Sequence, residues 1–410
     1  MKTSLSLKKS EKCFSSILCT ETTSSPAIEI FVYTDAAKLP TSWLHLASMA
    51  STSFLDPAYL QILENANKNI HYTYLILHRN SVPVGIFLTC LYTFKAEDSF
   101  KELENTTTSI LDSIQHAIKK SIIKAVEVRL IAIGNLFLTG EHGYFLHPSL
   151  HKEEQKEIIK KITPFLYDYH KTNKKKANIV LVKEFTSPQE QFLEDSFHSF
   201  KTEPNMVLTI PNTWNSIEDY KQAISSKYRV KYNKTLSKLN PITSRELTLQ
   251  EIEIHSDKIH ELYNKVVHGS SFKLLDVQPS YWIDWKRKLP QFFQLVGYFL
   301  GDELIAFYTL LKNKDQVEAH YIGYDATNNA SHALYLNMLF NMIQKSIEWK
   351  ATHLHFARTS TEIKSSVGAV PITTYCYIKH QCKLSHEVVT QIINYLNPSD
   401  KEYTIRHPFK

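Results

Sequence analysis

Three stretches in the second half of the chain hold side chains whose types and spacing could bind an anion or move a proton. In FARTSTEIKSSVGAVP, Phe356 to Pro371, two cations, Arg358 and Lys364, flank a helix start. Thr359 and Glu362 fit a capping box, in which a hydroxyl and a carboxylate satisfy the first free amides of a helix. Gly368 supplies the left-handed residue that ends the helix, and Pro371 prevents its continuation. Capping accounts for neither cation, because the positive end of a helix dipole gives a cation no advantage. Two exposed side chains left to solvent are one reading, and an anion bound between them is the other.

The second stretch, KQAISSKYRVKYNKTLSKL, Lys221 to Leu239, reads as one basic amphipathic helix with Tyr228, Tyr232 and Leu236 on one side. Lys221, Lys227, Arg229, Lys231, Lys234 and Lys238 bring positive charge without a single acid, as much as the formal net charge of +6 of the whole chain. Like charges at helical spacing cost roughly a few tenths of a kcal/mol per pair. An acidic ligand would offset that: a nucleotide's phosphates, RNA or an acidic polymer. No aromatic stacking motif or RNA-binding signature accompanies the helix, which argues against sequence-specific reading of nucleic acid.

The third stretch, EAHYIGYDATNNASHALYLN, is a strand, a polar loop and a helix start. Free amides at such a start suit a phosphate, with Asn328, Asn329 and Ser331 beside them, although Asn329 or Ser331 could equally be an ordinary cap. Glu318, His320 and Tyr324 alternate on one face of the strand, with Tyr321 on the other. Facing a cleft, any of them could take a proton from an amine or give one to a leaving thiolate; a buried polar pair is the alternative. In the first half, IGNLFLTGEHGYFL places three of the chain's nine glycines in one loop, a required backbone shape without a phosphate-loop lysine.

The elements that must position these groups follow from period and punctuation. IEIFVYT is a strand, PAYLQILENA a helix, and HYTYLILH and VGIFLTCLYTF two strands across a turn. The second half repeats the order: FFQLVGYFL, GDE and LIAFYTLL form a hairpin in which Ile305, Ala306 and Phe307 echo Val84, Gly85 and Ile86. QVEAHYIGYD is a further strand. The helix after it carries Tyr335, Met338, Leu339, Met342, Ile343 and Ile347 on one face. HLHFA and TTYCYIKHQC complete the set. These readings imply a mixed α/β (α+β) fold of two sheet-and-helix domains, residues 26–210 and 211–410, after a loose tail at 1–25. The prolines of KTEPNMVLTIPNTW mark the boundary.

With 410 residues, two or three cores are expected, and 43% apolar with 21% charged residues describes a globular chain. No apolar run approaches a bilayer span and no signal segment is evident, so a cytoplasmic location is the expectation. Five cysteines without C-x-x-C spacing favour reduced thiols over disulfides or zinc, and no metal is expected.

SKYRVKYNKTLSK, EAHYIGYD, the helix from Leu334 and ARTSTEIKSSVGAVP, in that order, resemble the GNAT-superfamily acyltransferases related to the Fem peptidoglycan-bridge transferases. IGNLFLTGEHG and EPNMVLTIP resemble the first half of bacterial members, the Bacteroidetes type among them. The resemblance spans nearly the whole chain after the tail. It implies tandem GNAT-like domains, each with a mixed, mainly antiparallel sheet, and transfer of an acyl group to an amine. It implies a small-molecule acyl donor and an amine acceptor, acyl-CoA as co-substrate with no permanently bound cofactor, and Arg358 and Lys364 bordering the site. His320 or Glu318 would serve as base and Tyr324 as acid. The superfamily's R/Q-x-x-G-x-G/A pattern is replaced by DATNNASHAL, and the coiled-coil arm of Fem enzymes is not visible. Acyl-CoA and aminoacyl-tRNA therefore both stand as donors, with tRNA or another acidic ligand at the helix of Lys227, Arg229 and Lys231. The alternative is a binding or scaffolding protein on the same fold.

Overall fold

In the first half the strands read from IEIFVYT, HYTYLILH and VGIFLTCLYTF and the helix read from PAYLQILENA are all present. The computed structural model describes residues 15–18, 28–95, 127–185, 197–269, 275–396 and 403–410. Strands β1 (Ser15–Leu18) and β2 (Ile28–Tyr33) precede helices α1 (Thr41–Met49) and α2 (Pro57–Ala66). Proline opens α2 while Asp56 accepts the Ala58 amide, the usual start for such a helix. Then come β3 (His71–Arg79), β4 (Val82–Lys95), β5 (Glu127–Ile133), β6 (Tyr144–Leu146), helix α3 (Lys152–Thr172), β7 (Ile179–Phe185) and β8 (His198–Lys201).

The second half runs β9 (Asn205–Thr209), α4 (Ile217–Ala223), α5 (Ser226–Ser237), β10 (Thr243–Glu246), α6 (Leu249–Ile254), α7 (Ser256–Gly269) and α8 (Ser280–Lys288). The hairpin β11 (Phe293–Leu300) and β12 (Glu303–Asn313) leads to β13 (Gln316–Tyr324), helices α9 (Ala326–His332) and α10 (Leu334–Glu348), and β14 (His353–His355). Helix α11 (Thr361–Ser365), β15 (Val370–Ile372), β16 (Tyr375–His380) and α12 (Lys383–Leu396) close the series.

These elements form two sheets. One has the order β1-β2-β3-β4-β5-β7-β16-β8 with β6 on β4, and the other β10-β11-β12-β13-β14-β9-β15. Each is antiparallel except for one pair, β5 with β7 and β13 with β14. The mixed, mainly antiparallel sheet flanked by helices is thus present twice, and the hairpin echo is real, since β4 and β12 occupy equivalent places.

The division of the chain differs from a single cut at residue 210. One unit comprises Met1–Thr202, Phe272–Leu275 and Tyr375–Ser399; the other comprises Glu203–Ser271, Asp276–Thr374 and Asp400–Lys410. The proline-bearing segment expected to be a linker contains β9, which pairs with β14 and β15. Conversely, β16 pairs with β7 and β8. The expected tail lies mostly outside the described residues, yet Ser15–Leu18 pairs with β2.

In the second unit α10 buries Met338, Leu339, Met342, Ile343 and Ile347 on one sheet face against Tyr308, Leu310 and Val317. On the other face lie α7 and α8 with Tyr263, Tyr281, Trp282 and Trp285, all almost fully buried. Gly323 admits α7 to direct contact with β13, because a Cβ there would lie 2.7 Å from the Leu262 carbonyl carbon. No helix among the described residues is long and apolar enough to cross a membrane.

The predicted basic helix breaks in two. Ile224 leaves the helical path to bridge with Phe409, and the Ser225 amide bonds to the Pro408 carbonyl. The Phe409 ring then covers Gly368, whose φ is +101° and whose added Cβ would meet the ring at 2.3 Å. Gly368→Ala is expected to destabilise the fold by about 1–3 kcal/mol from backbone conformation alone, with a further loss from displacing the ring. That further part should vanish in a Phe409→Ala background, and urea unfolding of the single and double variants measures both.

Candidate active site

Strands β13 and β14 pair in register over only three residues each, from Gln316↔His353 to Glu318↔His355. Beyond that point β13 stays on β12 as far as Tyr324. The chain after β14 instead stays on β9, where the Phe356 amide bonds to the Met206 carbonyl and the Met206 amide to the Ala357 carbonyl. The two strands therefore fork, and residues 319–324 turn one backbone edge into a crevice inside the sheet. Ala319, His320, Tyr321 and Ile322 all keep accessible surface, whereas Phe307 to Leu311 on the neighbouring strand are fully buried.

A bulge lies at the fork. Tyr308 pairs with Ile322 and Leu310 with Ala319, so Thr309 faces two residues, and its hydroxyl bonds to both the amide and the carbonyl of Tyr321. The extra residue corrects the expected alternation. His320 and Tyr321 now face the same way: the His320 ring lies 5.6 Å and the Tyr321 ring 6.1 Å from that of Tyr281 on α8. Tyr324 points to the opposite face, its ring 5.9 Å from Tyr335 of α10. Glu318 lies at the fork itself, buried, and accepts a bond from Asn313. The three proton-transfer candidates thus sit on both sides of one strand.

His320 shares a 2.7 Å hydrogen bond between Nε2 and the Tyr281 hydroxyl. Its surface is partly accessible, yet burial lowers its pKa to about 3. A side chain at the bottom of a narrow crevice has both properties. Burial raises the pKa of Tyr324 and lifts that of Tyr335 to about 12, so both are neutral hydroxyls at physiological pH. Tyr281 and Tyr335 carry no chemical signature in the sequence. The spacing of Tyr281, Trp282 and Trp285 marks only a buried helix face, and Tyr335 reads as core.

The wall opposite β13 is the segment after β14. Ala357, Thr359 and Ser360 all have positive φ, 56°, 66° and 49°. The expected capping box is therefore not formed: the left-handed turn carries Thr359 away, the helix starts at Thr361, and Glu362 pairs with Arg406. Lys364 is buried rather than exposed, 5% accessible, and its Nζ donates to the carbonyls of Ala357 and Arg358. It props the turn from below, while Arg358 lies on the turn itself. Desolvation lowers the Lys364 pKa to about 7.

The expected free helix start at Asn328, Asn329 and Ser331 is occupied. Those residues form α9, capped by Asp325. Ala333 then turns left-handed, and the Asn329 side chain accepts the Tyr335 amide at 2.9 Å. Ser331 bonds back to the Thr327 carbonyl. Of the basic residues, Lys231 reaches Ser366 at 3.2 Å, Arg229 bonds to Ser226, and Lys227 lies over the Tyr228 ring. Lys221 is paired with Glu218, so the surface is less uniformly cationic than the sequence suggests, and Leu236 is exposed instead of packed.

In the first unit the corresponding parallel pair does not fork, since β5 and β7 remain paired to Ile133↔Val182 at the end of β5. The glycine-bearing loop that follows is held by Lys183, which donates to the carbonyls of Asn135 and Leu138, and by Glu184, which accepts the Gly140 amide. Among the described residues no group of three His, Cys, Asp or Glu could hold a metal.

Several solved structures are similar to this chain. They include FemX, 10% identical over 79% of this chain and 91% of that one with a TM-score of 0.48. A tandem GNAT protein from the clavulanic acid biosynthesis pathway is 8% identical over 87% and 99% of the two chains, with a TM-score of 0.49. A GCN5-related N-acetyltransferase from Sphaerobacter thermophilus is 8% identical over 86% and 96%, with a TM-score of 0.40. No family model matches the sequence, and comparison with curated proteins gives no match.

Two pH dependences follow. As pH falls through 6.5 the unfolded chain protonates His320, whereas the folded chain resists until about 3, so stability drops by about 1.4 kcal/mol per unit across that window. His320→Gln should lack this part of the acid slope in circular-dichroism titrations. Lys364 works in the alkaline direction. Between about 7 and its ordinary 10.5 the unfolded chain holds a proton that the folded chain has released, so stability rises with pH there. Lys364→Met should abolish that rise in denaturant midpoints measured from pH 7 to 10.

Proposed function

We propose that the second unit is an N-acyltransferase of the GNAT type, which moves an acyl group from a coenzyme A thioester or an aminoacyl-tRNA to an amine. The observation that carries this reading is the fork between β13 and β14. The backbone edge of residues 319–324 offers strand-like hydrogen bonds to an extended, amide-bearing donor. An amide of the same edge is a preorganised donor for the oxygen that gains charge as the acyl carbonyl becomes tetrahedral.

The reaction needs a base on the side from which the amine arrives and an acid on the side where the leaving group departs. Glu318 and Tyr324, on opposite sides of the strand, suit those roles. The amine nitrogen attacks the acyl carbon, a C–N bond forms, and the C–S bond of a thioester or the C–O bond of an ester breaks. Glu318 takes the proton released by the amine, and the Tyr324 hydroxyl supplies one to the departing sulfur or oxygen. His320, neutral and a weak base, orients Tyr281 instead of carrying the proton. Arg358 borders the donor, and Lys364 supports the turn on which Arg358 sits. Lys227, Arg229 and Lys231 serve a phosphate-rich donor approaching from α5.

Mass spectrometry of the protein incubated with acetyl-CoA or aminoacyl-tRNA and a panel of amines should reveal an acylated amine. Tyr324→Phe should lower turnover ten-fold or more, equivalent to about 1.4 kcal/mol in the barrier. With a tRNA donor, neutralising Lys227, Lys231 and Lys234 should weaken binding and flatten its salt dependence, whereas acetyl-CoA should be much less affected. An absence of product together with no heat stabilisation by either donor would sink the proposal in favour of a scaffold.

A further inference from the structure

The face of the second sheet that α8 shares carries a second polar group beside the fork. Asn205, Gln316, Glu318 and His355 alternate with the core-facing Met206, Val317 and Leu354 and so project on the side opposite α10. Asn205 donates through Nδ2 to His355 Nδ1 at 3.1 Å, and the other ring nitrogen of His355 bonds to Gln316 Oε1 at 2.9 Å. With Nδ1 accepting, Nε2 carries the proton, and the ring has no donor left for the Asn205 carbonyl. Asn205 is 5% accessible, and its Oδ1 is buried without a partner.

Register places Asn205 at the forked end of the strand pair. Val207 is opposite His355 on the antiparallel partner β9, so Asn205 lies two residues further toward the C-terminal end of β14. Because β14 is parallel to β13, this is the end at which the strands fork, across from Ala319 and His320. On the β13 side stands Glu318, 6% accessible, bonded to Asn313 and paired with no cation among the described residues. A buried carboxylate without a cation and a buried carbonyl without a donor are both costly. They want the same thing, N–H bonds from a positively charged group.

We infer that Asn205 positions the acceptor, and that its Oδ1 and the Glu318 carboxylate form a subsite for a primary ammonium group. The inference rests on the acyl-transfer reading for its purpose, since the substrate would arrive as the ammonium and pass its first proton through Glu318 to solvent, which leaves Glu318 free to take the proton released on attack. The chemistry selects narrowly. An alcohol brings one donor and no charge, a quaternary ammonium brings charge without donors, and a primary ammonium brings charge with enough N–H donors for both acceptors at once.

Saturation-transfer NMR on the full-length protein tests this with n-butylammonium, n-butanol and tetramethylammonium as probes. Butylammonium should bind saturably at pH 7, and at equal concentration the other two should not displace it. Asn205→Leu should weaken butylammonium at least ten-fold while heat stabilisation by coenzyme A is unchanged. Asn205→Asp, which keeps an acceptor at the same place, should bind it at least as well as the native protein. If Leu lowers thermal stability, the Asp variant still separates a ligand role from a structural one, because loss of binding in Asp as well overturns the inference. So would undiminished binding to the Leu variant, equal competition by butanol, or no butylammonium binding at all. Ammonium binding without transfer to any amine would instead count against the acyl-transfer reading and leave the subsite standing.

Discussion

A strand inside a sheet must satisfy its backbone on two edges, and β13 loses one neighbour after three residues. The local structure of the second unit depends on that loss. The bulge at Thr309 turns both His320 and Tyr321 toward α8, where Tyr281 meets the imidazole. Gly323 lets α7 press on the strand and hold it to β12. On the far side, three left-handed residues bend the chain away, and a buried lysine bonds to the carbonyls that the bend exposes. A non-glycine residue at positive φ is unfavourable, so three so close together require a strong anchor, and Lys364 is well placed to provide it.

The two units show that strand order alone does not make a site. Both have helices followed by three antiparallel strands, a long helix and a parallel strand, but only the second pair of parallel strands parts. In the first unit Leu136, Phe137 and Leu138 are buried in the loop after β5, and Lys183 and Glu184 tie that loop down. A buried ion pair between these neighbours, 2.8 Å apart, does there with charge what an open crevice would leave to a ligand.

Much of the framework was legible from period and punctuation: the hairpins, the apolar face of α10 and the repeat of order between halves. What escaped was long-range or one residue out of phase. Strict alternation placed Glu318, His320 and Tyr324 together, and the bulge that separates them depends on a hydroxyl across the strand, which no local pattern reports. Left to solvent or beside a bound anion, Lys364 is expected at the surface, where lysine usually lies; its carbonyl partners exist only once the 357–360 turn has formed. The segment around Pro204 and Pro211 looked like a linker because its strand pairs with residues some 150 positions away in sequence, as Leu208↔Leu354 shows. Asn205 was invisible for the same reason.

The exchange of β9 and β16 has a consequence for how the chain is made. Growing from its N-terminus, the polypeptide emerges with β7 and β8 long before β16, which lies between them in the finished sheet. Until residue 380 has left the ribosome, the first sheet carries an unfilled slot lined by unpaired amides and carbonyls, an invitation to mispairing. The second sheet has the opposite history, because β9 is synthesised early and must wait for β14. Neither sheet can be finished by its own half of the message. A gene cut at the apparent midpoint would yield two fragments that each lack an interior strand next to the sheet edge, and joined to each other's missing piece they would be natural partners for complementation.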